Sequence, residues 1–438
     1  MQGFDYRTAT EAEILSRAAL LEGMLVGEIQ GASFEALEAR RGKGEVGLAI
    51  ENHFGIPPNP ISAADFPGAG IELKVVPLVR SERGVRVKER TFVSLIDYEA
   101  LARETWDTAS VRKKLKILFV FFEHLHGRSK KQFPIHNVVL WEPLDEIEQQ
   151  VRSDWESVQA KVLSGLAHEL SEADGRILGP STKGADSSER RRQPYSEELA
   201  KSRAFALKPS FTFGLYVEPP TPFEAEELAE NASLTGLRRG FQRFENRTID
   251  EVALDLAIRP SRSKSHAANV VRSAVSAASP MSATEFKLIG PTVRMTRVDA
   301  AAYPYEAMSF PAFRHLDLVR ETWEDSELLS FLEHMLIVPV FGVEKSTPAG
   351  ECIIREPIYW APTAQQLDLI ELEWTDFRDR IDRGESHALP TERRTKAIHV
   401  RPHARDATDR DATPGGGSEI KKSFWLNKRF VQEILTSV

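Results

Sequence analysis

The strongest constraint on this chain is that it contains one design written twice. Leu101-Ala102-Arg103-Glu104-Thr105-Trp106-Asp107 returns as Leu318-Val319-Arg320-Glu321-Thr322-Trp323-Glu324, 217 residues on. An apolar run follows each copy, at 117–122 and at 335–341. Leu140-Trp141-Glu142-Pro143 then matches Tyr359-Trp360-Ala361-Pro362, Trp155 matches Trp374, and Gly165 matches Gly384. The last pair reads as Leu207-Lys208-Pro209-Ser210-Phe211 against Ile420-Lys421-Lys422-Ser423-Phe424, at an offset of 213. One tryptophan on an amphipathic helix is ordinary core. Several blocks in one order at nearly one spacing mark a duplicated unit. Glu218-Pro219-Pro220-Thr221-Pro222 is too proline-rich for a helix or a central strand, so it reads as the connector. Two domains are expected, 1–218 and 219–438.

Composition narrows the class. With 41% hydrophobic and 28% charged residues the chain is an ordinary globular mix. Its single cysteine, Cys352, excludes an intrachain disulfide and a zinc ribbon. The longest apolar run falls far short of the ~20 residues of a membrane helix. The opening stretch has no apolar core of a signal peptide, so a cytoplasmic location is expected. The net charge of −8 argues against nucleic acid at first sight.

Within the first copy, helices are expected at 9–24, 33–40, 44–54 and 144–170, and strands at 71–78, 90–96 and 117–122. This is an α/β or α+β pattern. Exposed loops are expected at Gly179–Gln193 and Arg405–Ser418.

The stretch that carries chemistry runs from Lys43 to Lys74. It holds Glu51, then Asp65, then Glu72-Leu73-Lys74. In a strand, Glu72 and Lys74 share a face while Leu73 offers its carbonyl. Pro67, Gly68 and Gly70 allow the turn that brings Asp65 close. Two carboxylates and a carbonyl oxygen suit Mg²⁺, and Glu51 supplies a third acid. Lys74 is placed to act on a water or a phosphate. These are the parts of hydrolytic phosphodiester cleavage, the D…E-x-K arrangement of metal-dependent nucleases. E-x-K alone is weak, and Glu285-Phe286-Lys287 is another copy of it.

The spacing resembles that of the MutH family of GATC-directed DNA endonucleases. Lys43-Gly44, Glu51, Asp65 and Glu72-Leu73-Lys74 stand at the family's intervals. Thr105 to Lys116 is similar to its T-W-E-T-S-x-V-R-x-K-L-K segment, and Leu140-Trp141-Glu142-Pro143 to its LWSP element. The resemblance implies two tandem restriction-endonuclease-fold domains, each a central mixed sheet flanked by helices. It implies Mg²⁺-dependent cleavage of duplex DNA, with Asp65, Glu72, the Leu73 carbonyl and nearby Glu51 at the metal. Lys74 and Lys114 would act on water and phosphate. The expected DNA-facing residues are Lys43, Arg112, Lys116, Lys183, Lys208, Arg401, Lys421 and Lys422. The family's IRPK segment reads Leu178-Gly179-Pro180-Ser181-Thr182-Lys183 here, without the arginine.

The second copy is expected to be degenerate. Thr292-Val293-Arg294-Met295 faces Ile71-Glu72-Leu73-Lys74, which sets Val293 at the acid and Met295 at the lysine, with Phe331 opposite Lys114. Val400-Arg401-Pro402-His403 looks like IRPK. An active first copy and a degenerate second is the layout of the tandem GATC restriction enzymes of the Sau group. That layout implies cleavage 5′ of the G in GATC, an accessory DNA site in the second copy, a DNA-induced homodimer and a partner DNA methyltransferase. The rival readings are a strand-nicking repair endonuclease and a non-cleaving DNA-binding regulator.

Overall fold

A run that is apolar at every position suits a strand buried on both faces. The computed structural model describes residues 4–29, 44–57, 64–81, 84–183, 189–217, 234–261, 263, 265–279, 286 and 290–437. They divide into two compact units, Met1–Leu170 with Asp174–Ala225, and Glu226–Val438 with Ser171–Ala173. The expected helix at 33–40 and the connector at 218–222 lie outside the described residues.

The first unit contributes β1 (Glu72–Ser81), β2 (Gly84–Val87), β3 (Thr91–Leu95), β4 (Ile117–Glu123), β5 (Ile135–Trp141), β6 (Leu178–Thr182), β7 (Arg190–Gln193), β8 (Ser196–Lys201) and β9 (Arg203–Leu207). Its main sheet has the order β2-β1-β4-β5. β1 runs parallel to β4, while β2 and β5 are antiparallel to their neighbours. Every residue of β4 is buried, so it is the central strand. Leu118, Val120 and Phe122 face one core with Ile14, Ala49 and Ile50, from the helices Glu11–Ala19 and Glu45–His53. Phe119 meets Trp141 on the opposite face, and Trp141 meets Phe211 edge-on at 5.4 Å. A smaller antiparallel sheet, β3-β9-β6, and the hairpin β7-β8 complete the unit.

The second unit repeats the plan. It contributes β10 (Thr292–Val298), β11 (Met308–Phe313), β12 (Met335–Phe341), β13 (Ile353–Ile354), β14 (Ile358–Trp360), β15 (Ile398–Pro402), β16 (Arg410–Ala412), β17 (Ser418–Ile420) and β18 (Lys422–Leu426). β10 is parallel to β12, and β13 and β14 are antiparallel to β12. β11-β18-β15 forms the small sheet and β16-β17 the hairpin. Two tandem mixed-sheet α/β units are therefore present. The segments read as exposed loops end in paired strands instead, because β7-β8 and β16-β17 satisfy their backbone groups as hairpins.

The repeated residues have identifiable jobs. Trp106 packs on Trp155 at 5.7 Å, and Trp323 packs on Trp374 at 5.6 Å. Gly165 (φ 70°) and Gly384 (φ 81°) follow the helices Asp145–Leu163 and Ala364–Asp382 in the left-handed conformation that ends a helix. The first of these helices thus stops well short of 170. The acid before each helical tryptophan holds the chain entering the small sheet. Asp154 accepts the N–H groups of Arg176, Ile177 and Leu178 at 2.7–2.9 Å. Glu373 accepts those of Lys396, Ala397 and Ile398.

Strand register corrects two pairings expected between the copies. Ile117 pairs with Trp141, and Met335 pairs with Trp360. The Glu72 N–H donates to the Lys116 carbonyl at 2.8 Å, and the Thr292 N–H donates to that of His334 at 2.8 Å. Thr292 therefore stands where Glu72 stands, and Arg294 where Lys74 stands. Val293 and Met295 instead face a buried apolar cluster with Leu336 and Val338. A one-residue slip in a strand exchanges its faces, and the alignment of Val293 with Glu72 made that slip. The last repeated block is also reset. Phe205 pairs with Pro180, and Phe424 pairs with Val400. Leu207 then corresponds to Leu426, an offset of 219. Lys422 occupies the place of Arg203, not that of a residue after β9.

Candidate active site

Asp65 is placed by a tight turn. The Phe66 N–H donates to the Ile71 carbonyl at 2.9 Å, and the Ile71 N–H returns a bond at 3.2 Å. Gly68 lies under the Arg7 carbonyl, where a Cβ would come within 2.6 Å. The turn delivers the Asp65 carboxylate to the start of β1, where its Oδ2 accepts the Leu73 N–H at 2.9 Å. β1 bonds β4 through Glu72, so Leu73 presents its amide and carbonyl to the opposite edge. β2 covers that edge only from Leu78 onward. The Leu73 carbonyl and Asp65 thus share one open edge.

Glu72 is buried. Its Oε1 lies 2.8 Å from Lys74 Nζ and 3.7 Å from Lys114 Nζ, while its Oε2 has no hydrogen-bond partner. Lys114 ends the helical turn Arg112–Lys114 directly ahead of β4. Glu51 projects half-buried from the helix Glu45–His53, whose other face packs Val46, Ala49 and Ile50 into the core. Burial, and then Asp65, hold the Glu51 carboxyl above the usual range, with Lys74 pulling it down. Burial, and then Glu72, raise Asp65, opposed by the Leu73 N–H, Lys74 and Lys114.

The structure thus gathers Glu51, Asp65, Glu72, Lys74 and Lys114 at one end of β1. It adds Lys183, which follows β6 and sits 4.4 Å over the Phe92 ring. Burial, and then Lys74 and Lys114, lower the Lys183 ammonium. Phe92 gave no signal in sequence, because its contact with Lys183 joins residues far apart in the chain.

The donor set fits a hard divalent cation. Asp65, the partnerless Glu72 oxygen and the Leu73 carbonyl are oxygen ligands of the right kind, and the carboxyls of Glu51 and Asp65 are raised by burial and then by a neighbouring acid. Among the described residues no three His, Cys, Asp or Glu side chains form a metal cage. A two-acid, one-carbonyl site completed by water needs none. In the metal-free chain Asp65 opposes folding. Its raised pKa means that this penalty is absent below the ordinary aspartate range and grows as pH rises to the folded value. Asp65→Asn keeps an acceptor for Leu73 and removes the charge. In EDTA at neutral pH this variant is expected to melt about 2 °C above the parent. A lower melting point by calorimetry would contradict the crowding.

The remaining basic residues are mostly engaged. Arg112 bridges Asp107 and Glu148 at 3.1 Å each, and Lys116 pairs with Glu11 at 2.8 Å and Glu142 at 3.5 Å. Lys421 pairs with Asp409 at 3.0 Å. Arg401 lies 3.9 Å over Trp425. Two expected DNA contacts are corrected. Lys208 is 2% exposed and packs over Gly179. Lys422 is buried and donates to the Ser386 carbonyl. Arg203, at the equivalent place, donates to the carbonyls of Pro180 and Leu170. Lys422 and Arg203 thus tie main chain together. Lys43, Glu285 and Lys287 lie outside the described residues.

Comparison with known proteins gives the same two-part picture. The sequence model of the family described as "DNA mismatch repair enzyme MutH" matches residues 54–154 and again 278–373. The type II restriction enzyme Sau3AI of Staphylococcus aureus is 28% identical over 96% of this chain and 93% of its own. The DNA mismatch repair protein MutH of Actinobacillus pleuropneumoniae serotype 5b is 35% identical over 40% of this chain and 77% of its own. That of Escherichia coli is 29% identical over 47% and 91%.

Proposed function

The chain belongs to the MutH family, and from that premise we propose that it is a type II restriction endonuclease that hydrolyses duplex DNA at GATC, 5′ of the G. The observation that carries this reading is the similarity to a type II restriction enzyme along nearly the whole of both chains. The mismatch repair relatives match less than half of this chain each. A tandem chain therefore has the restriction enzyme's layout, not the repair enzyme's.

Catalysis is assigned to the first unit. Asp65, Glu72 and the Leu73 carbonyl would hold a divalent cation, taken as Mg²⁺, with Glu51 beside them. When bound it would supply Lewis-acid charge to the phosphate and the attacking water. Lys74, anchored on Glu72 at 2.8 Å, keeps its ammonium beside the attacking water, orients it by hydrogen bonding and offsets the negative charge that grows there. Lys114 and Lys183 face the phosphate and offset the charge that grows as the bond breaks. Asp65 holds the strand end through the Leu73 N–H, so the acid and the carbonyl stay in register.

The second unit is assigned DNA binding without cleavage. Thr292 cannot replace the acid Glu72, and Phe331 stands against Arg294 at 5.9 Å where a second lysine would be needed. The substrate puts the enzyme in the cytoplasm beside a DNA methyltransferase that protects GATC. Two chains pair when each binds DNA.

A plasmid of known sequence decides the reading. With Mg²⁺ and no other protein, linear fragments ending at GATC are expected. Open circles alone would indicate a nicking repair enzyme, and uncut DNA a regulator. The full chain with Asp65→Ala is expected to cut nothing, even though its second unit is untouched. Residual cleavage would place a nuclease site in that unit. Among the described residues no helix is long and apolar enough to cross a membrane.

A further inference from the structure

In the first unit the cation on β1 has a carboxylate partner, Lys74 on Glu72. In the second unit the register puts Arg294 at the lysine position and Thr292 at the acid position. The cation has been kept and its counter-charge removed. The Arg294 guanidinium lies 5.2 Å from the Phe310 ring and 5.9 Å from the Phe331 ring. Its Nε is buried with no hydrogen-bond partner, and among the described residues no carboxylate pairs with it. Burial and the neighbouring Arg272 both work against its charge.

A half-buried guanidinium with a buried Nε and no counter-charge is costly. An apolar side chain would pack beside the stacked Phe310 and Phe331 rings at less cost. The two ring faces also favour a cation at this place, and a guanidinium offers a planar fork to a ligand of matching shape. We propose that Arg294 is an anion seat for one backbone phosphate of duplex DNA, held without a metal ion. It rests on the reading that the second unit binds DNA. In the first unit three acids need a cation before a phosphate can approach. In the second, Thr292 removes an acid from the same strand position and the guanidinium meets the phosphate directly. The second unit would then hold DNA before and after the metal binds, whereas the first would hold it tightly only with metal.

The test is binding of the full chain to a short labelled GATC duplex in EDTA, followed over a salt series. Arg294→Met keeps the bulk beside the rings and removes the charge. It is expected to weaken metal-free binding about tenfold and to lower the salt slope by about 0.9, the release expected for one phosphate contact. Arg294→Gln, which keeps polarity in case methionine does not fold, should do the same. Arg294→Lys should keep the salt slope while losing severalfold in affinity, because an ammonium cannot make two parallel bonds. Unchanged affinity and slope in the methionine and glutamine variants would overturn the seat. If Arg401→Ala still weakens binding in that case, the second unit binds DNA elsewhere. If it does not, DNA binding by that unit falls as well.

Discussion

Replacing Lys74 by alanine will reduce GATC cleavage in Mg²⁺ by at least about a thousandfold, while binding to the same duplex in Ca²⁺ stays within a few-fold. The size follows from two losses at one atom. The ammonium is the group nearest the acid that the metal site uses, at 2.8 Å from Glu72 Oε1. A positioned charge at the reacting oxygen contributes typically about 10²–10³-fold. Removing it also leaves the buried Glu72 with only Lys114, at 3.7 Å. Arginine should not rescue, because its larger planar fork does not fit the place of a compact ammonium. Binding is expected to survive because, in the proposed reading, Lys114 and Lys183 still face the backbone. Single-turnover cleavage beside Ca²⁺ binding checks the split. Equal losses in both would make Lys74 a binding residue, and unchanged cleavage would remove it from the site.

The site was legible in the sequence because its spacing is local. Glu51, Asp65 and Glu72-Leu73-Lys74 lie within one short stretch, and Lys114 is carried to them by the parallel pairing of β1 with β4. What sequence could not resolve was register. The tryptophan pairs mark the two copies, but the offset between them drifts from 217 at Trp106 to 219 at Trp155. At β10 the offset is 220, Thr292 for Glu72, while pairing Val293 with Glu72 takes 221, and one residue is enough to exchange the faces of a strand. Val293 then reads as the lost acid, although the acid's place belongs to Thr292. Charge was misleading for a different reason. Arg112 looks like part of a basic run, yet its partner Glu148 is 36 residues away in sequence. Lys208 and Lys422 look like surface lysines because no sequence pattern announces a buried ammonium, such as that of Lys422, which bonds the Ser386 carbonyl.

The largest stability effect is expected at Asp154, which no motif singles out. Its carboxylate is almost completely buried and accepts the Gln150 side-chain amide as well as three successive N–H groups at the entry to β6. Burial raises the carboxyl, and the four hydrogen bonds work against that rise. Asp154→Ala strands three amides where water cannot reach them. Each unmet buried donor costs about 1–3 kcal/mol, so a loss of about 4 kcal/mol is expected. For a unit of this size that is a fall of about 10 °C in Tm. Glu156, two residues on, is exposed and pairs only with Arg152, so Glu156→Ala should move Tm by no more than a degree or so. Glu373→Ala should repeat the large effect in the second unit, where the same three-amide cap precedes β15. The two cap variants differ in function, and that difference separates the units. Asp154 fixes the strand that carries Lys183 to the phosphate, so its loss should slow cleavage well below the melting point. Glu373 fixes the strand that carries Arg401, so its loss should weaken DNA binding and leave the Asp65–Glu72–Lys74 cluster as it is. Calorimetry on the three alanine variants, with cleavage and binding measured at 25 °C, checks both halves. A Tm for Asp154→Ala within two degrees or so of the parent would mean that the strand entry finds other acceptors.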